Sequence, residues 1–191
     1  MNALTIMDVV TKKPYHHGHV AEAMRSVGRA MIDEDGLEGV RLREAARRIG
    51  VSTTASYRYY HTKDDLLASI AAEGFRELSA ALHEAIKPPD PMLGTAIAYV
   101  EFALKNRGLF RLMFGPILIE RAKYPELSEA AELTFNNLLR AAGRDGESRN
   151  EHEVVTWSLV HGLSGLLIER LVPEETARAL VERTLLLAGI T

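Results

Sequence analysis

The side chains that could do chemistry in this 191-residue chain narrow the choice at once. There is no cysteine, so a thiolate zinc site, a cysteine nucleophile and a disulfide scaffold are all excluded. His16, His17 and His19 lie together near the N-terminus, while His61, His83, His152 and His161 are scattered. A zinc site needs three or four converging ligands. His152-Glu153 lacks the second histidine of a metalloprotease helix, because position 156 is Thr156. The N-terminal histidines read as a lead-in that packs or touches nucleic acid, and no metal site is expected. Neither a Gly-x-Ser-x-Gly elbow nor a phosphate-cradling glycine loop occurs. The expectation is a protein that is not an enzyme and carries no cofactor.

A different chemistry is offered by Thr53-Thr54-Ala55-Ser56-Tyr57-Arg58-Tyr59-Tyr60-His61-Thr62-Lys63. Small residues at a helix N-terminus can enter a major groove closely, and tyrosine hydroxyls and lysine can reach the phosphates on either side. Such a helix must be held at the tip of something. The preceding residues, Leu42-Arg43-Glu44-Ala45-Ala46-Arg47-Arg48-Ile49-Gly50-Val51-Ser52, have the makings of a helix-turn-helix. Ala46 is small enough for two helices to cross closely, Gly50 permits the bend, Val51 plugs the junction and Ser52 can cap the second helix.

The rest of the chain predicts the body behind this unit. No proline falls between Tyr15 and Lys87. Val20, Ala23, Met24, Val27 and Met31 recur at helical spacing before a left-handed stop at Gly36. Short helices are expected over Leu42–Ile49 and Thr53–Tyr59. Thr62 can cap a long helix running from Lys63 to Ile86, and the prolines at 88, 89 and 91 break it. Further helices are expected over Met92–Asn106, Leu109–Phe114, Pro125–Ala142, Glu151–Leu171 and Glu174–Ala188. Strand alternation is nowhere sustained, so the fold class is all-α. Charge is uneven: residues 1–63 carry +3 and the remainder −6, as expected for a nucleic-acid-binding head on an acidic body. The uncharged stretch from Val154 to Ile168 has 15 residues, short of the roughly 18 that mark a membrane span. Asp8 interrupts the only apolar N-terminal stretch, so no signal peptide is read there. A cytoplasmic protein without membrane contact is expected.

These motifs carry a family likeness. His19 to Leu67 resembles the DNA-binding domain of TetR-family transcriptional regulators, whose usual signature is G-V-S…Y-x-Y/H-F…K-x-x-L-L. Tyr15-His16-His17-Gly18 resembles the start of one subgroup. Phe102-Ala103-Leu104, Leu109-Phe110-Arg111-Leu112-Met113-Phe114-Gly115 and Trp157-Ser158-Leu159-Val160-His161-Gly162 resemble that subgroup's C-terminal domain, named for its Trp-His-Gly residues. Three positions depart from the pattern. Arg41 stands where Ser or Thr usually caps the second helix, which costs about 1 kcal/mol locally unless the arginine contacts a phosphate instead. Ser56 replaces a larger apolar residue or proline, and His19 replaces Asp or Asn.

The resemblance implies an N-terminal helix-turn-helix domain over residues 1–62 and a helical effector-binding and dimerisation domain over 63–191. Thr53, Thr54 and Ala55 would face base edges. Arg58 would contact a guanine or a phosphate, and Ser52, Tyr57, Tyr59 and Lys63 would grip phosphates, with Arg43 a further partner. Tyr60 is read as packing of the small three-helix unit. A homodimer would place two recognition helices roughly 34 Å apart on a palindromic double-stranded operator. Its interface is expected to use Val155, Ser158, Leu159, Gly162, Gly165 and Leu166 of one helix, with Ala177, Leu180, Val181, Thr184, Leu187 and Ala188 of the last. Tyr99, Phe102, Phe110, Met113, Phe114 and Phe135, joined by Trp157 and His161, could line a cavity for a small apolar or amphipathic effector. The implied function is a repressor released by that effector, with the long helix from Lys63 as lever and a coupling of about 1–3 kcal/mol. Two alternatives stay open: a helical small-molecule-binding dimer, and a metal-dependent enzyme, each without DNA binding.

Overall fold

The computed structural model describes residues 17–141 and 151–190. Tyr15 and His16 lie outside them. Every regular element among the described residues is helical. The first helix, α1 (His17–Gly39), buries Val20, Met24 and Met31 as one stripe, and Gly36 breaks its helical geometry at φ 71°. Then come α2 (Leu42–Arg48) and α3 (Thr53–Ser56). α3 stops short of the expected Tyr59, because Arg58 and Tyr59 turn away on i→i+3 bonds, Arg58 N donating to Ala55 O at 3.3 Å and Tyr59 N to Ser56 O at 3.0 Å.

A reciprocal cap starts α4 (Lys63–Ala85): Thr62 Oγ1 accepts from Asp65 N at 3.1 Å, and the Asp65 carboxylate accepts from Thr62 N at 2.9 Å. At about 1.5 Å per residue this helix spans on the order of 35 Å. Asp90 caps α5 (Pro91–Lys105), accepting from Leu93 N at 2.9 Å, and α6 (Arg107–Met113) follows. The sequence pattern predicts no element between Phe114 and Pro125, yet α7 (Pro116–Ile119) and a 3₁₀ turn, Arg121–Lys123, fill that stretch. Four residues are too few to show a helical period.

After these come α8 (Pro125–Ala141) and α9 (Glu151–Ile168). α9 ends before Leu171, where Arg107 Nη1 donates to the carbonyls of Leu167 (3.4 Å) and Ile168 (2.9 Å). A 3₁₀ turn, Glu174–Thr176, leads into α10 (Ala177–Leu187).

One continuous apolar core runs from Val20 of α1 to Leu185 of α10, with α4 at its centre. α1 meets α4 through Arg25–Glu73 (3.1 Å) and Arg29–Glu77 ion pairs. At Gly74 any Cβ would lie 2.7 Å from Met113 Sδ, so α4 and α6 pack as closely as glycine allows. α8 is fastened to α4 by buried polar groups: Thr134 Oγ1 donates to Phe75 O at 2.9 Å, and Asn137 Nδ2 to Ser79 O at 2.9 Å. Burial demands such partners for every hydroxyl and amide. Among the described residues no helix is long and apolar enough to cross a membrane.

Candidate nucleic-acid interface

The α2–α3 unit is built as its spacing predicts. Ala46 is buried at the crossing, Gly50 sits at φ 73°, and Val51 packs partly buried against the core. Ser52 Oγ accepts from Ala55 N at 3.1 Å, capping α3. Ser56 is fully buried, but its hydroxyl donates to Thr53 O at 2.8 Å, so the departure leaves no unsatisfied polar atom. Tyr60 is buried as well. Its hydroxyl lies 3.3 Å from Ala21 O, to which it donates, and accepts from Arg25 Nη1 at 3.3 Å. The inner side of the unit is thereby bolted to α1.

The outer side is left open. Arg43, Ser52, Thr54 and Arg58 are exposed, Tyr57 is 39% exposed, and Thr53, Ala55, Tyr59 and Lys63 are half-buried. The cations here fall into two groups. Glu44 holds Arg47 (2.7 Å) and Arg48 (3.0 Å), and Arg48 also reaches Glu34 at 2.8 Å. Those two guanidiniums hold the Glu44 carboxyl down to about 2. Lys63 Nζ stands 3.8 Å from Glu38, a loose contact. Arg41, Arg43 and Arg58 have no carboxylate partner among the described residues. Arg41 occupies the N-cap of α2 with extended backbone and no side-chain cap bond. Unpaired cations flanking small polar side chains can hold phosphates and bring those side chains to base edges.

Behind this head lies an apolar cleft. Its walls come from α5 (Met92, Thr95, Ala96, Tyr99), α8 (Phe135, Leu138, Leu139) and α9 (Val154, Thr156, Trp157, Val160), around a cavity of about 40 Å³. Of the eight residues expected to line an effector cavity, Tyr99, Phe135 and Trp157 stand on this wall. Phe102, Phe110 and Met113 are buried in the core, and Phe114 packs against it. His161 lies behind the wall, its ring stacked on Phe110 at 5.3 Å and edge-on to Phe114 at 4.8 Å. A polar relay joins the two layers: Trp157 Nε1 donates to Tyr99 Oη at 3.2 Å, and Tyr99 Oη lies 2.9 Å from His161 Nδ1. Burial pushes the Tyr99 phenol up and the His161 imidazole down, so both are neutral. The buried Tyr99 hydroxyl proton needs an acceptor, and the imidazole supplies one at Nδ1 in the tautomer that carries its proton on Nε2.

The expected dimer residues divide between surface and core. Along α9, Val155 is 53% exposed, Ser158, Gly162 and Leu166 are exposed too, and Leu159 and Gly165 are half-buried. A Cβ at Gly162 or Gly165 would meet nothing within 4 Å, so small open surface faces outward there. On α10, Leu187 and Ala188 are exposed, and Ala177, Leu180 and Thr184 are half-buried. Val181 differs from expectation: it is buried with Leu185, four residues on, as the inward stripe of α10.

Two family models cover most of the chain. One, described as bacterial regulatory proteins of the tetR family, matches residues 25–70. The other, a tetracyclin repressor-like C-terminal domain, matches residues 92–187. The chain belongs to the TetR family. It is a DNA-binding helix-turn-helix transcriptional regulator. Among curated relatives, the nucleoid occlusion factor SlmA of Actinobacillus pleuropneumoniae is 27% identical over 142 residues, 69% of this chain and 70% of that protein. A protein of unknown function from Rhodococcus sp. RHA1 has the same fold with a TM-score of 0.77, at 26% identity over 90% of this chain and 94% of that one. The multidrug binding protein EbrR, complexed with imidazole, shares the fold at a TM-score of 0.62 and 19% identity, over 94% and 97% of the two chains.

Within this TetR-family framework, sequence reasoning passes over Met92, Thr95 and Ala96, three cleft residues of α5. Their spacing with Tyr99 is a visible signal, hidden when attention goes to aromatic residues. It also passes over Val154, Leu171 and Leu186, which are exposed apolar side chains beside the expected dimer face.

Proposed function

We propose that the protein is a repressor whose homodimer binds a palindromic operator and is released by a small apolar effector. One observation carries the reading: α3 and the turn after it are anchored on the inner side through Ser56 and Tyr60, while Thr54, Tyr57 and Arg58 stand exposed on the outer side. In this reading Thr53, Thr54 and Ala55 meet base edges, and Arg43, Ser52, Tyr57, Tyr59 and Lys63 position the duplex, with Arg58 serving either role. Residues 1–62 form the DNA-binding part, and residues 63–191 hold the effector and the dimer contacts. The dimer forms through the open small-residue side of α9, with Val155 and Leu166, and through Leu187 and Ala188 of α10. The Tyr99–Phe135–Trp157 wall receives the effector; a multidrug binding protein with the same fold supports a sensing role for this region. The regulator works in the cytoplasm and needs no catalytic step.

An electrophoretic shift with the chain's own upstream DNA tests this. Tyr57→Phe with Lys63→Ala should weaken binding to all sequences alike and lower the slope of log affinity against log salt by about 0.9 for each phosphate that is no longer neutralised. Indifference of the wild-type chain to every DNA at low salt would end the reading. Val155→Asp with Leu166→Asp should yield a monomer by sedimentation, with operator affinity reduced on the order of 10²- to 10⁴-fold because bivalent binding is abolished.

A further inference from the structure

We infer that the effector of the α5–α8–α9 cleft is an uncharged, slim, mainly hydrocarbon molecule, and that the site rejects charged ligands of either sign. This rests on the sensing role proposed above and goes beyond it by fixing the class of ligand. Three observations carry the inference. First, among the described residues eleven line the cleft, and none of them is a carboxylate, an ammonium, a guanidinium or an imidazole. Tyr99 is the one ionisable side chain among them, and it is buried and neutral.

Second, the polar atoms of the wall already have partners. Tyr99 Oη accepts from Trp157 Nε1 and donates to His161, and Thr95 Oγ1 donates to Pro91 O at 2.8 Å. Thr156 is buried and has its own interaction. Among the described lining residues a ligand carboxylate would find no cation and no free donor, and an ammonium would find no carboxylate. Either ion would leave water without compensation, which proteins avoid by excluding or neutralising the charge.

Third, the void is narrow, about 40 Å³. That is room for a few waters at most. A ligand therefore enters as a wedge between α8 and α9, and a thin alkyl chain separates them less than a fused ring system does. Phe135 and Trp157, edge to face at 5.3 Å, offer it an apolar contact surface.

The chain carries its own reporter, since Trp157 is the single tryptophan. The test is a fluorescence titration of the full-length protein with three chains of equal length: 1-octanol, octanoate and octylammonium. Octanol should give a saturable change in Trp157 emission, with octanoate and octylammonium at least tenfold weaker. In Leu138→Glu, which puts a carboxylate on the half-buried part of the wall, octylammonium should overtake octanol. Leu138→Met should keep the wild-type order, so the class can be read even if the glutamate variant does not fold. Equal or tighter binding of either ion to the wild-type chain overturns the inference and leaves the sensing role standing. A folded Leu138→Glu protein that keeps the wild-type order also overturns it. No saturable response to any of the three removes the cleft as a sensing site, and the inference with it.

Discussion

The tip of α3 and the cleft between α5, α8 and α9 treat polar side chains in opposite ways. At the tip, Thr54, Tyr57 and Arg58 face solvent, and Arg58 has no ion-pair partner among the described residues. Around the cleft, Tyr99, Trp157 and His161 satisfy one another inside an aromatic layer. A surface kept open for a partner contributes little to folding, whereas a sealed interior contributes much and tolerates little change. The widest test of that contrast pairs one residue from each side. Phe75 is fully buried on α4 and edge-on to Phe114 at 5.3 Å. Phe75→Ala should lower unfolding stability by about 3–5 kcal/mol in chemical denaturation. Thr54→Ala should stay within about 0.5 kcal/mol of wild type while weakening operator binding relative to random DNA. Equal stability losses at the two positions would erase the contrast.

The next largest effect concerns how the two regions communicate. No residue of α4 lines the cleft, although α4 is the helix that leads to the head. α8 faces both: Phe135 and Leu138 meet the void, while Thr134 and Asn137 bond to the α4 carbonyls of Phe75 and Ser79. A displacement of α8 therefore reaches α4 through those two fasteners. Asn137→Ala removes two hydrogen bonds, to Ser79 O and Oγ, from a buried seam, which costs about 1–3 kcal/mol. Effector binding followed by Trp157 emission should survive, and so should operator binding. The drop in operator affinity caused by the effector should shrink from the usual range of about 5- to 150-fold toward unity. Unchanged release in this variant would move the coupling elsewhere, for instance to α9 and the dimer contacts.

How much of this is legible in the sequence depends on how local the determining contacts are. The helix-turn-helix is readable because Ala46, Gly50, Val51 and Ser52 act within a few residues of one another, and the Thr62–Asp65 cap is equally local. The placement of aromatic side chains is not. Tyr99 and Phe102 are three residues apart on one helical face, yet only Tyr99 reaches the cleft, because the void's position is set by how α8 and α9 lean on α5. Val181 and Leu187 illustrate the same limit: both are apolar on α10, and only packing against the core decides that one is inside and the other out.

A pH experiment sharpens the comparison with a smaller effect. Burial lowers the His161 pKa from 6.5, so on acidification the unfolded chain takes up a proton that the folded chain resists. Stability should therefore fall as pH drops through 6.5 and level off once the folded state is protonated as well. His161→Gln keeps a hydrogen-bond acceptor for Tyr99 and removes the titration, so its denaturation midpoint should vary less between neutral and mildly acidic pH. Parallel profiles for the two proteins would mean that the aromatic layer does not keep His161 neutral.

The smallest effect is the most discriminating, because stability and binding should move in opposite directions. Arg41 has the extended backbone of an N-cap (φ −137°, ψ 126°), close to that of Thr62 (φ −129°, ψ 165°), which does cap its helix. A serine would fit the same geometry and accept from a free backbone N–H of the first turn of α2, so Arg41→Ser should stabilise the fold by about 1 kcal/mol. The gain should not exceed that, since Glu44, the residue that would complete a reciprocal cap, is already held by Arg47 and Arg48. If Arg41 meets a phosphate in the complex, the same substitution should weaken DNA binding and lower the salt slope by about 0.9. A stabilised protein with an unchanged slope would make Arg41 a poor cap and nothing more. A stabilised protein with a reduced slope would mean that the head gives up helix stability for charge at the DNA surface.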